Sequence, residues 1–432
     1  MIKLFKKNNK YISYLTALAL GQANIFLLFY LFSENSVSLS NITYSYSFVV
    51  LGISVCLYGI NYKIIYYASN YGKTYFFKKI LYFTFYLNFL SSLIYILILI
   101  LFIDFFENQI SFLELFLCLF FATFLVGMNS VFSIVSIAKY DSFYYLFLNL
   151  MKLSSLFFAY YFLSSISMEY PIKFYLIIIF SNLVAICFNI FREKVYNVSF
   201  FNITFIKYYY KNILKVSFFN YINGLISPVL ISYININLNS SITKLSYVGI
   251  YNLSRYFSVL NSFLPNSYSQ KVMPEYMKIP VHENNQIVKK NLLNKYLNNF
   301  LIMTILFWLL LIAIRPLIFN IYSFESEGAF IYNFVISIAA MTIITSIPGF
   351  HLNSIFKYRI LFFINFLVLV SVFTIFEFFD LSLSNKFFCY LVFTFIFNYF
   401  LIIMYYKFFG KRILLKTLLF SVMIILFNYF FR

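Results

Sequence analysis

The sequence predicts an all-α polytopic membrane protein with about twelve transmembrane helices, in two halves of six. Of its 432 residues, 63% are hydrophobic and 10% are charged, whereas soluble proteins carry about 25% charged residues. Apolar runs of the roughly 20 residues that a helix needs to cross the hydrocarbon core recur along the chain. A long polar segment after the sixth run divides the chain in two, as in transporters built from two structural halves.

The runs that can span a bilayer form two sets of six. The first set lies at residues 11–32, 41–61, 81–103, 112–137, 143–166 and 172–191, and the second at 216–238, 246–270, 298–320, 328–355, 360–380 and 387–409. A last run at 413–431, interrupted by Lys416, can form a thirteenth helix. We therefore divide the chain into an N-terminal six-helix lobe with a cytoplasmic linker, a C-terminal six-helix lobe, and a basic turn followed by a hydrophobic segment. These three parts are residues 1–205, 206–409 and 410–432.

The basic residues of the loops orient the chain with its N-terminus in the cytoplasm. In that orientation most of the 32 Lys and Arg residues lie inside, while the outer loops are short and acidic. The topology accounts for the net charge of +19, and no polar basic domain is present that would bind nucleic acid. The run from Tyr11 lacks a small-residue cleavage site, so we read it as an uncleaved first helix.

Two predicted transmembrane helices carry a cation within the bilayer. In the eighth helix, Arg255 shares about a third of the helix circumference with Asn252, Ser262 and other polar residues. A charged side chain in a spanning helix normally faces a bundle interior or a water-filled cavity. The alternative is that Arg255 extends its side chain to the outer headgroups. In the fifth helix, Lys152 lies near the middle of the span.

The seventh predicted helix has an uncharged polar face. Asn220, Asn223 and Ser227 lie on one side, just before Pro228, which can free backbone carbonyls for a ligand. Hydrogen bonding between helices is the alternative role of such a face. Together these features make Arg255, Lys152, Asn223, Asn252 and Ser262 the candidate substrate-binding residues.

The residues that are missing from the predicted helices also carry information. No Asp or Glu lies at the centre of a span, although intramembrane carboxylates are the usual ion sites of proton and sodium antiporters. Two cations without a matching acid imply an anionic ligand such as a phosphate or pyrophosphate. The sequence contains no P-loop, no metal-type His/Cys spacing and no Ser/His/Asp arrangement, so we predict neither a cofactor nor enzymatic activity. The four cysteines lie in apolar runs and are expected to be free, buried thiols.

The polar segment at 192–215 contains three lysines that share one side of a helix: Lys207, Lys211 and Lys215. This spacing predicts an interfacial helix on an anionic leaflet, and a positive-inside anchor explains it equally well.

Two stretches of the second half carry recognisable motifs. The first runs from Tyr247-Val-Gly-Ile-Tyr through the eighth helix to Met273-Pro-Glu, and the second is Arg315-Pro-Leu-Ile-Phe followed by Glu325-x-Glu. Both resemble the O-antigen flippases (Wzx type) of the multidrug/oligosaccharidyl-lipid/polysaccharide exporter superfamily, and this resemblance implies two six-helix lobes around a central cavity. The resemblance implies transport of a polyprenyl-pyrophosphate-linked oligosaccharide from the cytoplasmic to the outer leaflet of a bacterial cytoplasmic membrane. It also implies a polysaccharide polymerase and chain-length proteins as partners, and it maps cations that hold pyrophosphate onto Arg255 and Lys152 by helix position. The family's Asp-rich turn after the seventh helix is absent, since Asn235, Asn237 and Asn239 stand there.

Two other classes of protein remain as alternatives. A membrane polysaccharide polymerase or glycosyltransferase would need a large outer loop or catalytic carboxylates near the outer face, and the predicted outer loops are too short for this. A small-molecule exporter of the same superfamily, or a major-facilitator carrier, fits the helix count, although drug exporters more often keep an intramembrane acid.

Overall fold

A computed structural model describes residues 36–100, 112–139, 141–166, 170–195, 203–240, 246–259, 301–354, 358–404 and 411–431, together with parts of 13–32 and residue 291. All regular secondary structure in these residues is helical. Seven of the described helices are long and apolar enough to cross a membrane, and two shorter apolar helices, Ile42–Cys56 and Leu414–Phe430, accompany them. The chain is therefore a multi-pass helical membrane protein.

The first half of the chain forms six labelled helices. They are α1 (Ser36–Cys56), α2 (Asn61–Tyr71), α3 (Tyr75–Ile100), α4 (Phe112–Ala138), α5 (Ser142–Ser164) and α6 (Tyr170–Glu193). Helix α4 is central, because it packs against α2, α3 and α6, and α6 in turn packs against α5. The helix predicted at 41–61 is observed as two helices, α1 and α2, which together extend beyond both ends of the predicted run. Tyr58 and Gly59 adopt φ values of 48° and 61° between them, a left-handed conformation that ends α1.

The polar segment after α6 leads into one long helical stretch. Helix α7 (Ile203–Tyr209) continues through a π-helical turn (Tyr210–Leu214) into α8 (Lys215–Ser240) without a break. Phe205, Tyr209 and Ile213 are buried in the same apolar cluster as residues of α2, α3 and α4. One face of this segment is thus covered by protein, so the segment is not an isolated helix.

The second half of the chain begins with α9 (residues 246–259), α10 (residues 301–313) and the short α11 (Arg315–Ile321). A 3₁₀ turn (Ser326–Gly328) then leads into α12 (Ala329–Ser354), which is followed by α13 (Tyr358–Phe378), α14 (Leu383–Met404) and α15 (Lys411–Phe430). Helix α14 packs against α12 and α13. The predicted runs at 216–238, 328–355 and 360–380 agree with α8, α12 and α13 to within a few residues. The C-terminal ends of the predicted runs at 246–270 and 387–409 lie outside the described residues.

The last helix is an integral part of this half. Helix α15 packs against α12 and α14, and its Asn428 side chain, 1% exposed, donates to the Ser337 hydroxyl at 2.8 Å. The Trp308 indole N–H donates to the same hydroxyl at 3.0 Å. The Trp308 ring also contacts Phe427 of α15, with ring centroids 5.3 Å apart. The hydrophobic segment predicted at 413–431 is therefore a helix held in the core of the second half.

Contacts between Cα atoms divide the chain into two compact units. Unit 1 comprises residues 1–32 and 45–232, and unit 2 comprises residues 33–44 and 233–432. The chain passes from one unit to the other within α1 and within α8, and not in the polar segment at 192–215. The predicted division after residue 205 is based on membrane topology and not on contacts between Cα atoms, and it stays a prediction.

Candidate functional site

Lys152 lies near the middle of α5 and is partly buried. The polar side chains near it on the helix donate hydrogen bonds to backbone carbonyls of the same helix. The Asn149 amide donates to the Tyr145 carbonyl at 2.9 Å, and the Ser155 hydroxyl donates to the Met151 carbonyl at 2.8 Å. Among the described residues, by contrast, the Lys152 ammonium group has no hydrogen-bond or ion-pair partner. An ammonium group at that depth requires an anionic or hydrogen-bonding partner to compensate for lost hydration.

The environment of Lys152 includes the first predicted helix. The Asn24 amide donates to the Asn149 carbonyl oxygen at 3.4 Å. A Cβ added at Gly21 would lie 3.3 Å from the Asn149 Oδ1 atom. The chain around residues 21–24 therefore approaches α5 one turn before Lys152, and both segments belong to unit 1.

Arg255 lies on α9, in unit 2, and is also partly buried. Its guanidinium carbon is 5.9 Å from the centroid of the Tyr251 ring, at the outer limit of a cation–π contact. The guanidinium group makes no ion pair with a carboxylate of the described residues. Arg255 thus resembles Lys152 in lacking an acidic partner, although an aromatic ring lies beside it.

Asn252 is 1% exposed, and its side chain is engaged by the protein itself. Its amide N–H donates to Asn235 Oδ1 at 2.9 Å, and the Asn235 amide donates back to Asn252 Oδ1 at 3.1 Å. A second bond joins the Asn252 amide to the Val248 carbonyl at 3.1 Å. This geometry gives Asn252 a role in joining α8 to α9, and its assignment to a substrate stays a prediction.

The remaining two candidates are less defined. Asn223 lies on α8 and is partly buried, next to Gly224, where an added Cβ would meet no atom within 4 Å. Ser262 lies outside the described residues. Lys152 and Asn223 belong to unit 1, whereas Arg255 and Asn252 belong to unit 2.

Sequence reasoning missed a charged cluster in unit 1, where α4, α5 and α6 meet. The side chains of Lys139 and Glu193 form an ion pair, and so do those of Arg192 and Asp141. The Arg192 guanidinium carbon also lies 3.4 Å from the centroid of the Tyr144 ring. Asp141 caps α5 by accepting a hydrogen bond from the Tyr144 backbone N–H at 3.1 Å. The Asp141 N-cap is readable from the sequence, because Asp is a preferred residue immediately before a helix.

Unit 2 contains an open cleft of about 460 Å³ beside Arg315. The Arg315 guanidinium donates to Asn333 Oδ1 at 3.1 Å, and the rest of the lining includes Asn320, Ser323 and Ser326. Within the part of the chain that the structure describes, no group of His, Cys, Asp and Glu could hold a metal ion. The cysteines are free, as expected, but Cys187 is exposed on α6, so the prediction that all four are buried is wrong.

The fold is that of the MATE transporters of the MOP superfamily. A MATE transporter crystallised as a complex is similar over 94% of this chain and 95% of its own, with a TM-score of 0.67 and 9% identity. A mutant of the Vibrio cholerae MATE transporter VcmN has a TM-score of 0.67 and 13% identity, covering 92% of this chain and 95% of its own. A MOP superfamily transporter from Pyrococcus furiosus has a TM-score of 0.63 and 10% identity, covering 93% and 94%.

Comparison of the sequence itself finds no matching protein-family model and no matching curated protein. The structural likeness covers nearly the whole chain, which confirms the predicted all-α polytopic fold. The central cavity, the cytoplasmic N-terminus and the particular membrane stay predictions.

Proposed function

We propose that this protein is a membrane exporter that moves an anionic, lipid-linked substrate by alternating access, and that the substrate is a polyprenyl-pyrophosphate-linked oligosaccharide. The observation that carries the proposal is the pair of cations within predicted spans, Lys152 and Arg255, neither of which has a carboxylate partner among the described residues. The fold supports a transporter of this superfamily. A phosphate group binds such cations through charge-assisted hydrogen bonds.

The two cations suit different parts of that task. Lys152 offers a compact charge with rotatable donors, so its charge alone matters. Arg255 offers a planar fork of donors that can bind two phosphate oxygens at once. The Tyr251 ring, which is 4% exposed, lies beside that fork.

A small-molecule exporter is the second candidate, because a similar solved structure is an outward-facing multidrug resistance MATE family transporter of the MOP superfamily. A lysine and an arginine without a carboxylate partner among the described residues would repel cationic drugs, and this favours an anionic substrate here. In the Pyrococcus furiosus transporter, reverse polarity of the binding pocket suggests a different function. We propose that polarity likewise separates this chain from drug exporters.

Complementation of a strain that lacks its polysaccharide flippase tests the proposal. Lys152→Arg should retain most surface polysaccharide and Lys152→Ala should lose it, whereas Arg255→Lys should be impaired and Arg255→Ala nearly inactive. A lost charged contact is worth roughly 2–3 kcal/mol, or about 30- to 150-fold in binding. Lys173→Ala, which removes a cation elsewhere in unit 1, is the matched control and should retain transport.

Expression and elution profiles must match the wild type, because a misfolded helix would also lose activity. Wild-type polysaccharide levels in the Lys152→Ala/Arg255→Ala double variant would refute a role for either cation. Export of a cationic dye by the wild type, with no complementation, would instead support the small-molecule exporter.

A further inference from the structure

The helical stretch from α7 to the start of α8 presents three lysines on its surface. Lys207, Lys211 and Lys215 are all exposed, and they recur every fourth residue. Residues four apart are neighbours on one side of a helix, so the three lysines form a ridge along it. None of their ammonium groups has a hydrogen-bond or ion-pair partner among the described residues.

The opposite side of this helix is fixed to unit 1. Tyr209 and Ile213 are completely buried. The Tyr209 hydroxyl lies 2.9 Å from the Thr84 hydroxyl, and the Tyr208 hydroxyl lies 2.8 Å from that of Tyr67. The lysine ridge is therefore held in one orientation by protein contacts and does not depend on a lipid for its position.

A strip of exposed apolar side chains borders the ridge. Ile203 is 72% exposed, Ile206 43% and Tyr210 61%. Exposed apolar and aromatic side chains next to lysines are typical of helices at a membrane interface, where the apolar strip enters the acyl boundary and the charges meet the headgroups. The ridge also continues directly into α8, so Lys215 lies at the predicted cytoplasmic end of a transmembrane helix.

We propose that Lys207, Lys211 and Lys215 form a binding ridge for the phosphate headgroups of anionic phospholipids in the cytoplasmic leaflet. The buried face and the exposed apolar strip favour the first of the two interpretations that the sequence left open, in which the lysines contact an anionic leaflet. Orientation of the chain requires only positive charge inside, whereas a ridge fixed beside an exposed apolar strip provides a surface for lipid. This proposal does not depend on the identity of the transported substrate.

Native mass spectrometry of the full-length protein, titrated with phosphatidylglycerol or phosphatidylethanolamine, tests the ridge. The Lys207→Gln/Lys211→Gln variant should bind phosphatidylglycerol about 30-fold more weakly, taking about 1 kcal/mol per lysine near a surface. Its affinity for phosphatidylethanolamine should not change. The Lys207→Arg/Lys211→Arg variant keeps the charge and should bind as the wild type does.

The Lys73→Gln/Lys194→Gln variant is the matched control, because both lysines are exposed and it too removes two positive charges, but outside the ridge. It should retain wild-type affinity for phosphatidylglycerol. An equal loss in this control would show that only net charge matters and would overturn the proposal. Unchanged affinity in Lys207→Gln/Lys211→Gln would also overturn it and would leave the ridge to an acidic protein partner.

Discussion

Among the described residues, unit 1 contains two ion pairs that join the ends of helices, whereas the helices of unit 2 are joined by hydrogen bonds without an ion pair. The ion pairs Lys139–Glu193 and Arg192–Asp141 both lie in unit 1. Unit 2 uses the Asn235–Asn252 amide pair and the bonds that converge on the Ser337 hydroxyl. Ion pairs near a surface are weakened by salt, while buried neutral hydrogen bonds are not. The stability of the two units should therefore respond differently to ionic strength.

The largest effect is expected in unit 2, at Trp308. Trp308→Ala removes a side chain that is 2% exposed and leaves the Ser337 and Asn428 contacts without the indole. We expect a loss of about 3–5 kcal/mol in the free energy of unfolding, measured in mixed micelles, because a cavity is left. Leu309→Ala, at the neighbouring residue that is 48% exposed, should cost much less. Equal losses would mean that the indole is not a packing centre.

Adding a methyl group at a closely packed glycine should destabilise both units by similar amounts, because this effect does not depend on ion pairs or hydrogen bonds. A Cβ at Gly52 would lie 2.6 Å from Tyr95 Cε1, and one at Gly249 would lie 2.5 Å from the Ser40 hydroxyl. Gly52→Ala and Gly249→Ala should each lower the free energy of unfolding by about 1–3 kcal/mol. Gly224→Ala, where nothing lies within 4 Å, is the control and should be close to neutral or slightly stabilising. A strongly destabilised Gly224→Ala variant would contradict this packing.

The charged cluster of unit 1 should show coupling that depends on salt. Glu193→Gln leaves Lys139 partly buried without its carboxylate, and we expect a cost of about 1–2 kcal/mol at low ionic strength. A double-mutant cycle with Lys139→Met measures the coupling energy, which should shrink as salt is added. The Trp308→Ala cost should stay constant over the same salt range. A salt-independent Lys139–Glu193 coupling would remove the contrast between the units.

A smaller, stabilising change is expected at the end of α11. Ser323 has φ 53°, and the Phe324 N–H bonds to the Phe319 carbonyl at 2.9 Å, so the helix ends in a Schellman motif. Glycine adopts this left-handed conformation without steric cost, whereas serine does not. Ser323→Gly should therefore raise the free energy of unfolding, measured by thermal unfolding, by about 0.5–1 kcal/mol. A loss of stability would show that the Ser323 hydroxyl has a role in the adjoining cleft.

The positions of the helices were predictable because a span depends on a local property, the length of an apolar run. The predicted run at 328–355 is α12 (Ala329–Ser354), and the run at 112–137 is α4 (Phe112–Ala138). The break at Tyr58 was not predictable, because a tyrosine in a left-handed conformation is held there by tertiary contacts. One such contact joins the Tyr58 and Ser91 hydroxyls at 2.7 Å.

Partners of the candidate site residues were also beyond the sequence. That Arg255 and Lys152 lie within predicted spans follows from the pattern, but their lack of acidic partners among the described residues required the three-dimensional arrangement. Asn252 looked like a residue of a polar, ligand-facing stripe, and its bonds to Asn235 became visible only when α8 and α9 were placed together. Glu193 is distant from Lys139 in the sequence, so no local pattern pairs them.

The burial of Trp308 in the core of unit 2 makes it an optical probe that the protein already contains. The sequence has one tryptophan, and its ring lies between α10 and α15, against Phe420 and Phe427. Its fluorescence should therefore report the packing of the last helix and should not respond to unfolding of unit 1. A red shift of the emission that precedes the loss of helical circular dichroism on heating would show that unit 2 opens before unit 1, without any label.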